Sequence, residues 1–180
     1  MSENIILEWT RNLNLKWSDF KAESNPAVFE DAHSVVKYRF TWTVNSDKID
    51  GQVVFLIEDI RIFVDFHPLL SWVRTSESTD DLLKHEQGIF DLAELVKREN
   101  IKKLQEIFYS KPFPTRGKNE EQRRQFAKED SGKMIAKDVE KLEKIFLEKS
   151  KRYQDETNFG QNLESQYNYN LIFDQLRIVE

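Results

Sequence analysis

A chain of 180 residues has the length of one domain and can bury a substantial core. Its 39% hydrophobic and 12% aromatic content, with five Gly and four Pro, excludes a fibrous or wholly disordered protein, and the lack of cysteine excludes disulfides, Cys-ligated zinc, iron–sulfur clusters and a thiol nucleophile. The net charge of −5, from 27 Lys+Arg against 32 Asp+Glu, supplies no overall field toward nucleic acid or an anionic membrane.

Ile5 to Trp9 and Leu13 to Trp17 offer one or two short strands, with Trp17-Ser18-Asp19-Phe20 leaving for a loop around Asn25-Pro26. Val35 to Thr43 has the period-two character of a long strand. Asn45 to Gly51 is turn chemistry, and Gln52 to Asp65 resumes as a second strand, which makes a hairpin. An antiparallel or mixed sheet of few strands is expected over residues 1–75.

Ser76-Glu77-Ser78-Thr79-Asp80-Asp81 favours a helix N-terminus, and the helical spacing then holds through Leu104, within a segment 76–108. Leu82, His85, Ile89, Leu92 and Val96 are 3, 4, 3 and 4 apart and form one stripe, which turns His85 inward. Pro112, Pro114 and Gly117 interrupt the pattern. Helices follow over 118–180, the first carrying Ile135, Val139, Leu142 and Phe146, the last carrying Leu163, Tyr167 and Leu171. The expected architecture is α+β in a single domain, 1–180.

Between Lys111 and Arg152 there are 13 basic and 8 acidic residues, so this stretch is +5 and the remainder −10. A solvated helix face accounts for that; an electrostatic partner of an acidic polymer is the sharper alternative. No apolar run approaches the ~20 residues of a membrane span. Met1 is followed by Ser2, Glu3 and Asn4 rather than a basic then apolar leader. The expectation is a cytoplasmic chain, with export as the alternative if a signal peptide has been removed.

Chemistry concentrates in Leu82-Leu83-Lys84-His85-Glu86-Gln87-Gly88-Ile89, which begins like the zinc-hydrolase helix H-E-x-x-H and then deviates, because Ile89 occupies the second His position. That chemistry needs two imidazoles at i and i+4 on one metal, with the Glu activating the bound water. A lone His-Glu pair also fits a hydrogen-bonded core histidine. Asp91 and Glu94 could orient His85 as partners behind it, or form ordinary helix salt bridges. The only other histidines, His33 and His67, would have to converge with His85 to rebuild a zinc site. The four Trp residues and the Tyr167-Asn168-Tyr169 pair read as core or sheet cover, or as the lining of a cleft that holds a peptide or glycan.

Several spaced blocks in one order resemble the bacterial domain-of-unknown-function family 922, regarded as secreted zinc-dependent proteases of zincin-like fold. They are Leu15-Lys16-Trp17-Ser18-Asp19-Phe20, Asp31-Ala32-His33-Ser34, Phe66-His67-Pro68 with Ser71-Trp72-Val73, and the helix from Leu82 to Leu95. Tyr153, Glu156-Thr157, Gly160 and Gln166 complete the pattern. The resemblance implies a small sheet packed on an H-E-x-x-H-type helix, with His85 at the first metal-ligand position and Glu86 at that of the general base. It also implies that Ile89 and Phe159 fill the other two ligand positions and should meet, while Gln154 replaces an Asp. A catalytic zinc needs three protein ligands and a water, so no zinc or other cofactor is expected. Glu86 becomes a vestigial base, and the chain an inactive homologue with an unidentified protein or peptide partner. The alternative is a zinc metalloprotease with a nonstandard ligand set built around His85 and Glu86 from His33, His67, Asp91 or Glu94.

Overall fold

A computed structural model describes residues 5–178; the Met1 to Asn4 segment on which the localisation expectation rests lies outside the described residues. The frame is a long hairpin of β3 (Val36–Ile49) and β4 (Gln52–Phe66), extended on the far side of β4 by β1 (Leu7–Glu8) to give the order β1-β4-β3. All pairings are antiparallel. A second two-stranded pair joins β2 (Ala32–His33) to β5 (Trp72–Val73). Three helices follow, α1 (Asp80–Phe108), α2 (Glu120–Thr157) and α3 (Leu163–Leu176). This is an α+β architecture with a small antiparallel N-terminal sheet.

The hairpin reverses tightly. Asp50 and Gly51 both have positive φ (52° and 78°), and Ile49 pairs with Gln52, so a two-residue Asp-Gly turn closes it. The polar residues from Asn45 to Lys48, expected as turn, therefore continue the strand at an exposed tip. On β4 the inward residues change phase: Phe55 and Ile57 are buried, then Ile60, Ile62, Val64 and Phe66. An irregularity opposite Trp42 absorbs the extra residue, with Asp59 left-handed at φ 52°. Without it, one half of the strand would turn its apolar side to water.

Leu13 to Trp17 forms no strand. The Lys16 N–H donates to the Asp19 carboxylate (2.8 Å), which closes a single 3₁₀ turn at Trp17–Asp19, and the Leu15 N–H goes to Gln87 Oε1 (2.7 Å). α1 starts where expected, with Thr79 Oγ1 accepting from the Leu82 N–H. From His85 to Glu94 every residue of α1 is buried. Here the helix packs between the sheet on one side and α2 and α3 on the other. α2 is one helix of 38 residues. Its basic side chains grip the hairpin: Arg123 donates to the Val53 carbonyl, Arg124 to that of Val44 and Lys128 to that of Trp42. On α3, Phe173 and Leu176 point inward, whereas Leu163 and Tyr167 are about 60% exposed. Among the described residues no helix is long and apolar enough to cross a membrane.

Candidate functional site

The helical phase of α1 carries His85 into a socket built by the end of α2 and the start of α3. The imidazole is 1% exposed and stacks on the Tyr153 ring at 4.7 Å and 11°. Gly160 closes the other side: a Cβ there would lie 2.8 Å from the His85 Cβ, and its φ of +86° independently favours glycine. Nδ1 donates to Gln166 Oε1 (2.8 Å), since that oxygen only accepts, with Thr157 Oγ1 at 3.4 Å. Nε2 is buried and has no hydrogen-bond partner among the described residues. Burial lowers the imidazole pKa to about 4, against a smaller upward pull from Gln166, so His85 is neutral at physiological pH.

Tyr153 locks this arrangement. Its hydroxyl donates to the His85 carbonyl (2.8 Å) and accepts from Gln166 Nε2 (2.8 Å), which also donates to Asn170 Oδ1 (2.9 Å). The hydroxyl lies directly over Gly88, where an added Cβ would be 2.1 Å away. Gly88 escaped the sequence reading, although a glycine inside a 29-residue helix costs about 1 kcal/mol against Ala and so signals a close approach. Tyr153, Thr157, Gly160 and Gln166 entered that reading only as spaced matches; they form the walls of the His85 socket.

Glu86, 2% exposed, faces a different direction. Ser34 Oγ donates to its Oε2 (2.5 Å), and among the described residues no cation pairs with it. Burial pushes the carboxyl up to about 7; the Ser34 hydrogen bond opposes this and the Glu30 charge adds to it.

Ile89, one turn after His85, and Phe159, just past the end of α2, line one cleft of about 450 Å³ together with Ser34, His33, Phe146 and Lys151. Both positions thus line one cleft. Phe159 is held in an unusual backbone: Asn158, Phe159 and Gly160 all have positive φ (48°, 55° and 86°). A left-handed phenylalanine costs roughly 1–2 kcal/mol. Its ring packs edge-on against Phe29 at 4.8 Å.

The remaining residues named from the sequence are engaged elsewhere. Asp91 accepts from the Trp9 indole (2.9 Å), from Gln87 Nε2 (3.0 Å) and from both Arg177 nitrogens (2.8 and 3.0 Å). It ties the start of the chain to the end of α3. Glu94 pairs with Lys97 (2.8 Å) and Arg98 (3.1 Å) on its own helix. His33 is exposed on the cleft rim, 3.5 Å from Glu30. His67 is half-buried beyond the end of β4, its pKa lowered by partial burial and by Lys37.

The zinc that the resemblance implies can be tested against this geometry. His85 is oriented as a ligand would be, with Nδ1 held by a neighbour and Nε2 free. Its companions are absent: among the described residues no group of three or more His, Asp and Glu side chains could hold a metal ion. The residues present do not fit a three-ligand zinc.

No family model, curated protein or solved structure matches the chain. What the site can do is therefore read from its own side chains.

Proposed function

We propose that this chain is a catalytically inactive, zincin-like protease homologue that acts as a binding, scaffolding or regulatory module. One observation carries the reading: Ile89 and Phe159, the two apolar side chains at the ligand positions of the resembled motif, line one cleft, and His85, one turn before Ile89, has no hydrogen-bond partner at Nε2 among the described residues. One neutral imidazole competes poorly with the hydration shell of a zinc ion. Glu86 then has no acidified water to deprotonate. Of the apolar pair, Ile89 is buried, which is worth on the order of 1.5–3 kcal/mol for a fully buried side chain, whereas Phe159 is only partly buried.

The cleft itself supports a binding role. Its volume of about 450 Å³ falls within the range of ligand sites, and it mixes apolar walls from Ile89, Phe146 and Phe159 with the polar groups of Ser34, Lys37 and Gln154. Metal analysis is the test. Purified protein, loaded with zinc and dialysed, should retain far less than one zinc per chain, and His85→Ala should not change the amount. Retention of about one zinc per chain, lost in His85→Ala, overturns the proposal in favour of a metalloprotease with a nonstandard ligand set.

A further inference from the structure

Away from the cleft, α1 and α2 leave a groove between them. Glu99 pairs with Lys149 (2.7 Å) at one end and Ile107 meets the same hollow as Met134 at the other, so the two helices run antiparallel along it. Two adjoining hollows of about 430 and 410 Å³ make up the groove, and Ile107 borders both. The buried Leu104, Leu142 and Ile62 of β4 line the first with the more exposed Ile107 and Ile145; Phe108, Phe113 and Met134 continue the apolar lining in the second. Ile107 and Met134 are 46% and 45% exposed, so the strip opens to water instead of being closed by another element.

The border of this groove is positive. Of the 13 cations between Lys111 and Arg152, the hairpin takes up Arg123, Arg124 and Lys128, and several others collect here. Lys103 and Lys141 line the first hollow and Lys111 the second, while Lys137 and Lys144 stand one helical turn before and after Lys141. The acids in the lining are already matched, Asp138 by Lys141 (3.2 Å) and Asp130 by Arg116 (3.4 Å). Among the described residues Lys103, Lys137 and Lys144 enter no ion pair, and the Lys111 ammonium reaches only the Ile107 carbonyl (3.5 Å). Glu106, exposed beside Ile107, is not part of the lining.

This combination selects an occupant. A flexible acidic polymer would use the lysines and leave the apolar strip wet, and a neutral apolar segment would leave the lysines unused. A helix with one apolar stripe flanked by acids satisfies both, and the seam between two antiparallel helices is where the ridges of a third can pack. The apolar wall from Met134 to Ile145 is about 16 Å long at 1.5 Å per residue, the length of three helical turns.

We propose that the α1–α2 groove docks an acidic amphipathic helix of a partner protein. The groove has no lining residue in common with the cleft of Ile89 and Phe159, and the inference does not rest on the reading of that site.

Three labelled peptides of about 16 residues, capped at both ends and long enough to hold a helix, test it by fluorescence anisotropy on the full chain. One carries a Leu stripe at helical spacing with Glu on its flanks, the second replaces each Glu with Lys, and the third has the composition of the first in an order that destroys the stripe. The acidic amphipathic peptide should bind about tenfold or more tighter than either control, and its affinity should fall as salt rises from about 0.05 to 0.5 M. Lys137→Glu plus Lys144→Glu should weaken it about tenfold or more, and so should Ile107→Asp, each with an unchanged circular dichroism spectrum. Absence of binding, equal binding of either control, or an affinity that neither variant lowers overturns the assignment. Sedimentation with vesicles of phosphatidylcholine and phosphatidylglycerol separates a lipid surface: vesicle binding that the same variants abolish, with no preference among the peptides, overturns the helix in favour of a membrane.

Discussion

Gly88→Ala should destabilise the protein, although alanine is the better helix former by about 1 kcal/mol. The new methyl would sit 2.1 Å from the Tyr153 hydroxyl, 2.8 Å from its Cζ and 2.9 Å from Phe173 Cε2. Ordinary contact needs about 3.5 Å, so the phenol must retreat by roughly 1 Å or more. That withdraws it from the His85 carbonyl and from Gln166, two hydrogen bonds worth roughly 1 kcal/mol each, and adds overpacking strain of roughly 1–3 kcal/mol. Set against the propensity gain, the net loss is about 2–4 kcal/mol, or roughly 5–15 °C in Tm for a chain of this length. Urea unfolding should show a lower midpoint at unchanged m. Adding Tyr153→Phe removes the closest atom, so the double variant should be more stable than the two single losses predict, by at least about 0.5 kcal/mol. A Gly88→Ala protein more stable than the parent would refute the packing described for the His85 socket.

Asp91→Asn should cost roughly 3 kcal/mol, because it leaves the largely buried Arg177 guanidinium without its counter-charge; an unfolding midpoint within 0.5 kcal/mol of the parent, read by tryptophan fluorescence, would contradict the clasp. His85 and Glu86 should impose opposite pH slopes on stability. With its folded pKa near 4, His85 contributes stability that is complete above about pH 6.5 and falls by about 3 kcal/mol toward pH 4, as the unfolded chain takes up the proton first. Glu86, near 7, holds a proton that the unfolded chain releases above about pH 4.5, so its contribution is lost as pH rises from about 4.5 to 7. In the parent these slopes largely cancel between about pH 4.5 and 6.5; Glu86→Gln should unmask loss on acidification and His85→Gln loss on alkalinisation, and flat profiles in both variants would refute the assignment.

The hairpin and α1 could be read from the chain because each carries an unambiguous local signal, Asp-Gly between alternating β-formers for one and a hydroxyl-acidic start with a 3-4-3-4 apolar stripe for the other. The inward turn of His85 followed from that same stripe. The rest depends on long-range partners that no local pattern displays. β2 and β5 are two residues each and exist because Ala32 and His33 find Val73 and Trp72 some forty residues away. Leu13 to Trp17 has strand-like composition, but Gln87 and Asp19 take its backbone hydrogen bonds. The outward face of α3 could not be foreseen from Leu163, Tyr167 and Leu171, since the helix is apolar on two sides and Gln166, Phe173 and Leu176 occupy the inner one. At the site, the Asp91 ion pair with Arg177 spans 86 positions, and Ser34 reaches Glu86 across 52.

The claim on which the rest depends is that two apolar side chains stand where imidazoles would complete a zinc site around His85. Zinc titration of the Ile89→His plus Phe159→His double variant tests it directly, beside the parent and each single change. The account predicts that only the double variant gains tight, stoichiometric zinc binding. A double variant that binds zinc no better than the parent would contradict it.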